Sequence, residues 1–230
     1  MAGVSTYWVI PGLLMAGAYP GSPDRLESEA NLAALVKTGL RAFIDLTEPD
    51  EVTRLGPLRP YQEDLRAVSS ATSAEVSYSR FPIRDLKVPT RELMRSILDA
   101  LDAAMDRAAP AYVHCLGGRG RTGTVVGCYL VRHAGRLLGV EKGVAPGDLA
   151  LERITALRAL QGVPLPEASP EMDAQRCFVL DWGRGSYRRW LSVHPDEGSP
   201  CRDLHPARGK RWWWWMCGMG RCRSRQVSRA

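Results

Sequence analysis

The sequence predicts an α/β three-layer sandwich, with a mixed, largely parallel central sheet flanked by helices. Three observations predict it. Short apolar runs alternate with amphipathic helical segments along most of the chain. One run, Ala111–His114, opens directly into a glycine-rich loop that leads into a strongly apolar stretch. No segment reaches the ~18–20 continuous apolar residues of a membrane-spanning helix.

The elements follow in order. Tyr7–Ile10 and Leu13–Ala18 are apolar runs broken by Pro11-Gly12, which predicts a hairpin. Ser22-Pro23 reads as a cap followed by proline at the first helical position. That helix carries Leu26, Ala30, Ala33 and Ala34 on one face and ends near Gly39. Arg41–Leu46 is a compact strand, and 48–74 is polar and loop-rich with a helix around Tyr61–Val68. Val76–Ile83 alternates as a strand and stops at Arg84-Asp85. Thr90 caps a helix striped by Leu93, Ile97, Leu101, Ala104 and Met105, which Pro110 ends. Thr122–His133 reads as a buried helix and Pro146–Leu160 as an amphipathic one. Ser169 caps a last helix, with Pro170 at its first position, running to about Trp182.

A chain of 230 residues with 45% hydrophobic and 24% charged residues can build one complete core and carry an appendage. The same figures exclude a wholly disordered, collagen-like or small disulfide-scaffold protein. The net charge of +6 invites an anionic polymer partner until it is located. Residues 183–230 hold 11 Lys and Arg against 3 acidic residues, while 1–182 hold 20 against 22. The expected folded body is therefore residues 1–182, slightly acidic, with no nucleic acid expected for it. The basic character belongs to a tail at 183–230. Trp212–Trp215 and the arginines around them admit three readings: stacking on single-stranded nucleic acid, a membrane interface, or zinc held by Cys201, His205, Cys217 and Cys222. The tail shows no periodicity, so it is expected to be disordered and without a selected function. Six cysteines without paired short spacing argue against a disulfide framework. The apolar N-terminus has no basic residue before Arg25, which argues against a secretory signal. A cytoplasmic protein with reduced thiols is the expectation.

The chemistry concentrates in His114–Thr124, HCLGGRGRTGT, between a predicted strand and a predicted helix. An α/β sheet presents ligand sites at that edge. Leu116, Gly117, Gly118, Arg119 and Gly120 can turn successive backbone N–H groups inward as an anion nest. Arg121, six residues after Cys115, can fork onto two phosphate oxygens. Inward amides, the helix dipole and Arg121 favour the thiolate of Cys115, placed for in-line attack on phosphorus. The Thr122 hydroxyl can donate to that thiolate when it leaves. His114 is expected to order the loop through hydrogen bonds rather than to move protons.

The pattern His114-Cys115-x5-Arg121-Thr122, with Gly118 and Gly123, resembles the protein tyrosine phosphatase superfamily, most closely its compact dual-specificity and bacterial members. Ile10-Pro11-Gly12-Leu13-Leu14 resembles the opening strand pair of dual-specificity domains, and the resemblance runs from Tyr7 to Trp182. The phosphotyrosine-recognition loop of the larger tyrosine-specific enzymes has no counterpart. The resemblance implies a phosphotyrosine phosphatase-like fold and phosphomonoester hydrolysis through a phospho-cysteine, without metal or other cofactor. It also implies a general acid about thirty residues before the cysteine, and Asp85, at the end of a strand, precedes Cys115 by 30 positions. Ser169-Pro170-Glu171 with Gln175 resembles the loop whose glutamine orients the hydrolytic water, against a reading as a cap with an exposed glutamine. Asp45 either supports the site or ends its strand. The expected partner is a phosphorylated protein. A phosphoinositide is the alternative, since Arg119 stands where phosphoinositide members carry a basic residue, although Leu116 stands where those members often carry a second one. A catalytically idle phospho-binding module is the rival from another class. Sulfur transfer or arsenate reduction would leave Asp85 unexplained.

Overall fold

The computed structural model describes residues 4–54, 56–140, 145–163 and 168–182. The expectations for the tail at 183–230 lie outside the described residues. A five-stranded sheet runs β1 (Thr6–Ile10), β2 (Leu14–Gly17), β7 (Ala111–His114), β3 (Ala42–Asp45), β6 (Ser77–Arg80), in that spatial order. β1 is antiparallel to β2, and β2, β7, β3 and β6 are parallel to one another.

Alternation along the inner strands explains the layers. Leu14, Ala16, Ala42, Ile44, Ala111 and Val113 face a core shared with α3 (Arg91–Asp106), α4 (Gly120–Arg132), α6 (Gly147–Leu160) and α7 (Asp173–Trp182). Met15, Phe43 and Tyr112 face the other core, shared with α1 (Arg25–Lys37) and α2 (Gln62–Thr72). Both faces are covered, which is the condition for a parallel sheet. A two-stranded hairpin, β4 (Val52–Thr53) with β5 (Gly56–Pro57), and the short helix α5 (Ala134–Leu137) complete the described elements.

Several boundaries differ from the sequence expectations. The first helix is capped by Asp24, whose carboxylate accepts from the backbone N–H of Leu26 at 2.8 Å and of Glu27 at 3.4 Å. Ser22 instead donates to Glu27 at 2.5 Å, so the expected cap holds the first turn from outside it. The buried face is Ser28, Leu32, Leu35 and Val36, and Leu26 is 77% exposed. The larger apolar volume of Leu32, Leu35 and Val36 wins over the alanine stripe, because burial scales with apolar area. Thr90 caps α3 as expected, accepting from Leu93 N–H at 3.1 Å. The last helix starts at Asp173, later than expected, because Ser169 does not cap it: its hydroxyl donates to the Arg119 carbonyl at 2.8 Å. The polar stretch after β3 holds the β4–β5 hairpin, which has no periodic signal in the sequence.

Topology positions the site. β7 is inserted between β2 and β3, so Gly17, His114 and Asp45 align at the carboxyl edge, with Arg80 next to Asp45. The chain leaves β7 at this edge and returns as α4, whose residues from Gly120 to Val131 are all buried. No helix among the described residues is long and apolar enough to cross a membrane.

Candidate active site

The loop between β7 and α4 begins at Cys115, which is 3% exposed. Its turn is built on Gly118, at φ 66°. A side chain there would be disfavoured twice, by the left-handed backbone and by collision, since a Cβ would lie 2.4 Å from the Gly17 carbonyl carbon. Gly123 clears room for the Ser169 hydroxyl, which would meet a Cβ at 2.3 Å. α4 starts at Gly120 without a side-chain cap, so its amino end keeps its N–H groups for an anion.

The loop is held from below by its neighbours. The His114 ring is fully buried. Its Nε2 lies 2.7 Å from the Tyr61 hydroxyl and its Nδ1 3.3 Å from the Cys115 carbonyl. Burial pushes the ring's pKa down, against the pull of Asp45 and the carbonyl bond, so the neutral form is favoured. Asp45 is buried and accepts from Thr47 N–H and hydroxyl, from the Tyr78 hydroxyl and from Arg80. Burial alone would raise its carboxyl. The electrostatic pull of the adjacent His114 ring and the Tyr78 and Thr47 hydrogen bonds outweigh that and hold it below the ordinary value. Asp45 is therefore a support of the sheet edge, saturated by protein partners. Arg158 of α6, 5% exposed, donates to the Gly118 carbonyl at 3.3 Å, while its guanidinium carbon lies 5.9 Å from the centre of the Tyr7 ring. The Leu116 carbonyl accepts from Tyr19 N–H at 2.9 Å.

Arg121 is the most constrained charge in the site, at 1% exposure. Its Nη1 and Nη2 fork onto Glu51 at 2.5 and 2.7 Å, and Nη1 also donates to the Ile83 carbonyl at 3.1 Å. Burial opposes its charge, but Glu51, Cys115 and Asp85 outweigh burial and raise its pKa further. Asp85 Oδ1 lies 2.9 Å from Arg121 Nη2, and the Asp85 side chain is 54% exposed. Its neighbour Leu86 takes a left-handed backbone at φ 59°, a strain of about 1–2 kcal/mol stored beside the candidate acid. A cavity of 380 Å³ opens here, lined by Glu48, Asp50, Glu51, Val52, Arg84 and Asp85.

The structure thus brings Cys115, Arg121 and Asp85 to one edge of the sheet. Thr122 is also at the loop, but its buried hydroxyl makes no hydrogen bond, so the expected bond to the cysteine sulfur is not formed. Gln175 is fully buried rather than exposed, accepting from Met172 N–H and donating to the Lys87 carbonyl, each at 3.1 Å. Its amide lies against Gly120, where a Cβ would come within 3.0 Å of Oε1, and so it joins the segment that carries Asp85 and Lys87 to the loop after β7. Arg119 carries its side chain to Glu171, with Nη2 to Oε1 at 2.5 Å.

Sequence reading missed Glu51, Tyr61, Arg158 and the Glu171 contact. The available signal for Glu51 was the acidic run Glu48-Pro49-Asp50-Glu51 directly after a strand end at the same sheet edge. Glu51→Ala should destabilise the fold by about 2–4 kcal/mol, because a buried guanidinium loses its main partner. Urea denaturation measures this, and saturating inorganic phosphate should restore part of the loss. An unchanged midpoint would show that Asp85 and the Ile83 carbonyl suffice.

The fold and this loop define a cysteine-phosphatase architecture. Residues 4–173 match the sequence model of the family described as PTP-SAK, the Swiss Army Knife protein DSP-PTPase phosphatase domain, and the chain belongs to this dual-specificity-type family of the protein tyrosine phosphatase superfamily. Curated relatives include the mouse (Mus musculus) dual specificity protein phosphatase CDC14B, 29% identical over 126 residues, 55% of this chain and 24% of that protein. Another is mouse protein tyrosine phosphatase domain-containing protein 1, 28% identical over 130 residues, 56% of this chain and 17% of that protein. The chain spans about a quarter of the length of the CDC14 relatives it matches. Among solved structures, Tk-PTP in its active form superposes with a TM-score of 0.57 at 19% identity, covering 78% of this chain and 97% of that one. PTPMT1 in complex with PI(5)P gives 0.56 at 18%, covering 81% and 99%.

Proposed function

We propose that the chain hydrolyses phosphomonoesters on proteins in two steps, with Cys115 as nucleophile. The phosphate dianion enters the loop and takes the inward amides and the Arg121 guanidinium as its equatorial partners. The Cys115 sulfur attacks phosphorus in line, and the bond from phosphorus to the ester oxygen breaks. Asp85, in its acid form, gives its proton to that oxygen. Water then attacks the phospho-cysteine, Asp85 takes a proton from it, and inorganic phosphate leaves with the thiolate restored. Gln175, packed against Gly120, is the candidate to orient that water, and the unpartnered Thr122 hydroxyl is the candidate donor for the departing sulfur. His114 and Glu51 hold the loop and the arginine in place.

The observation that carries this reading is the 2.9 Å contact of Asp85 with Arg121, which puts a candidate acid from one loop beside the phosphate-binding arginine of another. Arginine and amides supply the electrostatics, so no step calls on a metal. A small aryl phosphate should therefore turn over at the same rate with and without a chelator. Chelator-sensitive turnover would overturn the mechanism.

Phosphoinositide hydrolysis is the second reading, supported by the fold likeness to PTPMT1 and by Arg119 in the loop. The protein-substrate reading rests on the charge around the loop. Glu171 neutralises Arg119, and the adjoining cavity presents Glu48, Asp50, Glu51 and Asp85 against Arg84. A substrate with a single phosphate fits that mouth better than a polyanion.

A further inference from the structure

We infer that Glu171 is a specificity-determining residue that keeps polyphosphorylated ligands out of the phosphate loop by occupying Arg119. The inference rests on the phosphomonoesterase reading above and deepens it. Arg119 is the only side-chain cation of the loop besides Arg121, which is committed inside the cradle. It is bound twice by the segment that precedes α7: its carbonyl accepts from Ser169, and its guanidinium meets Glu171. The second carboxylate oxygen of Glu171 lies over the next loop residue, 3.3 Å from where a Gly120 Cβ would stand. The carboxylate therefore sits on the loop itself rather than out in solvent.

The pair is neither buried nor fully exposed, with Arg119 at 23% and Glu171 at 33%. A ligand larger than a phosphate ion can reach it. A ring bearing a second phosphate beside the scissile one needs a cation at this rim to balance the added charge. Here it meets an arginine already neutralised, with a carboxylate beside it. A phosphorylated side chain of a protein brings no second phosphate and loses nothing. The bond to Glu171 thus turns an arginine that could select for polyanions into one that does not.

The test compares wild type, Glu171→Gln and the double variant Glu171→Gln with Arg119→Gln on two substrates. One is a small aryl phosphate and the other a short-chain phosphatidylinositol bisphosphate. Glu171→Gln should keep aryl phosphate kcat/KM within about twofold and raise the bisphosphate kcat/KM about tenfold, a gain of one favourable charge contact. The gain should come through a lower KM, and the double variant should lose it. If Glu171 only pins the segment to the loop, both substrates change together and the ratio stays fixed, which overturns the inference. A wild type that already prefers the bisphosphate also overturns it. An enzyme inert toward every phosphomonoester overturns the proposed function together with this inference, whereas an active enzyme with an unchanged ratio overturns the inference alone.

Discussion

Cys115→Ser should leave the fold intact and lower aryl phosphate turnover by about 10⁴-fold or more. The substitution exchanges sulfur for oxygen at a site that is 3% exposed, so packing changes little. Chemistry changes completely. A hydroxyl is not ionised by a cradle of amides and one arginine, and a buried serine has no general base beside it: the neighbouring His114 is turned to Tyr61 and to the Cys115 carbonyl. Inorganic phosphate should still bind, since the amides of the loop and Arg121 remain. Initial-rate assays together with thermal melting measure both halves. Residual turnover within tenfold of wild type would remove Cys115 from the mechanism.

Asp85→Asn is the second large effect. It should lower turnover about 10²–10³-fold on an alkyl phosphate, whose leaving oxygen needs a proton, and far less on an aryl phosphate with a good leaving group. The dependence on leaving group is the diagnostic result. An asparagine keeps an oxygen for Arg121 Nη2 but has no acidic proton to give, so the arginine keeps its geometry while the acid is lost. Asp85 is more than half exposed and sits beside a left-handed Leu86, so the variant should fold as wild type does. A series of substituted phenyl phosphates measures the effect. Equal losses across the series would mean that Asp85 only holds Arg121.

The contrast between these two residues and Glu51 shows what a sequence discloses. Cys115, Arg121, Thr122 and the loop glycines are contiguous, and the chemistry that needs them fixes their spacing within one turn of chain. Asp85 is separated from them, but a strand end marks it, and strand ends of a parallel sheet converge on one edge. Glu51 lies 70 positions from Arg121 in a polar segment without periodicity, so only the folded chain selects it from the neighbouring carboxylates Glu48 and Asp50. The same holds for Tyr61 under His114 and Arg158 under Gly118. Each pairing is decided by which helix packs on which face of the sheet. Where local signals competed, packing decided: the alanine stripe of α1 yielded to Leu32, Leu35 and Val36, and Ser169 served the Arg119 carbonyl instead of a helix start.

Glu51, His114 and Arg158 have a common consequence. Each fixes a different part of the loop or of its arginine before substrate arrives: the guanidinium by a carboxylate, the Cys115 carbonyl by a ring nitrogen, the Gly118 carbonyl by a buried cation. Donors held in this way need no reorganisation when charge develops on the transferred phosphoryl group, which is the source of electrostatic catalysis. The loop is therefore braced from beneath by these contacts, while the Asp85 side chain stands more than half exposed at its rim.

The central claim is that the phosphoryl group passes through the Cys115 sulfur. Acid quenching during turnover of an aryl phosphate, followed by mass analysis of proteolytic peptides, tests it most directly. The account predicts one phosphoryl group on the peptide that carries Cys115, present during turnover, gone when substrate is exhausted and never formed in Cys115→Ser. Full turnover with no phosphopeptide at any quench time, or a phosphoryl group on another residue, would contradict it.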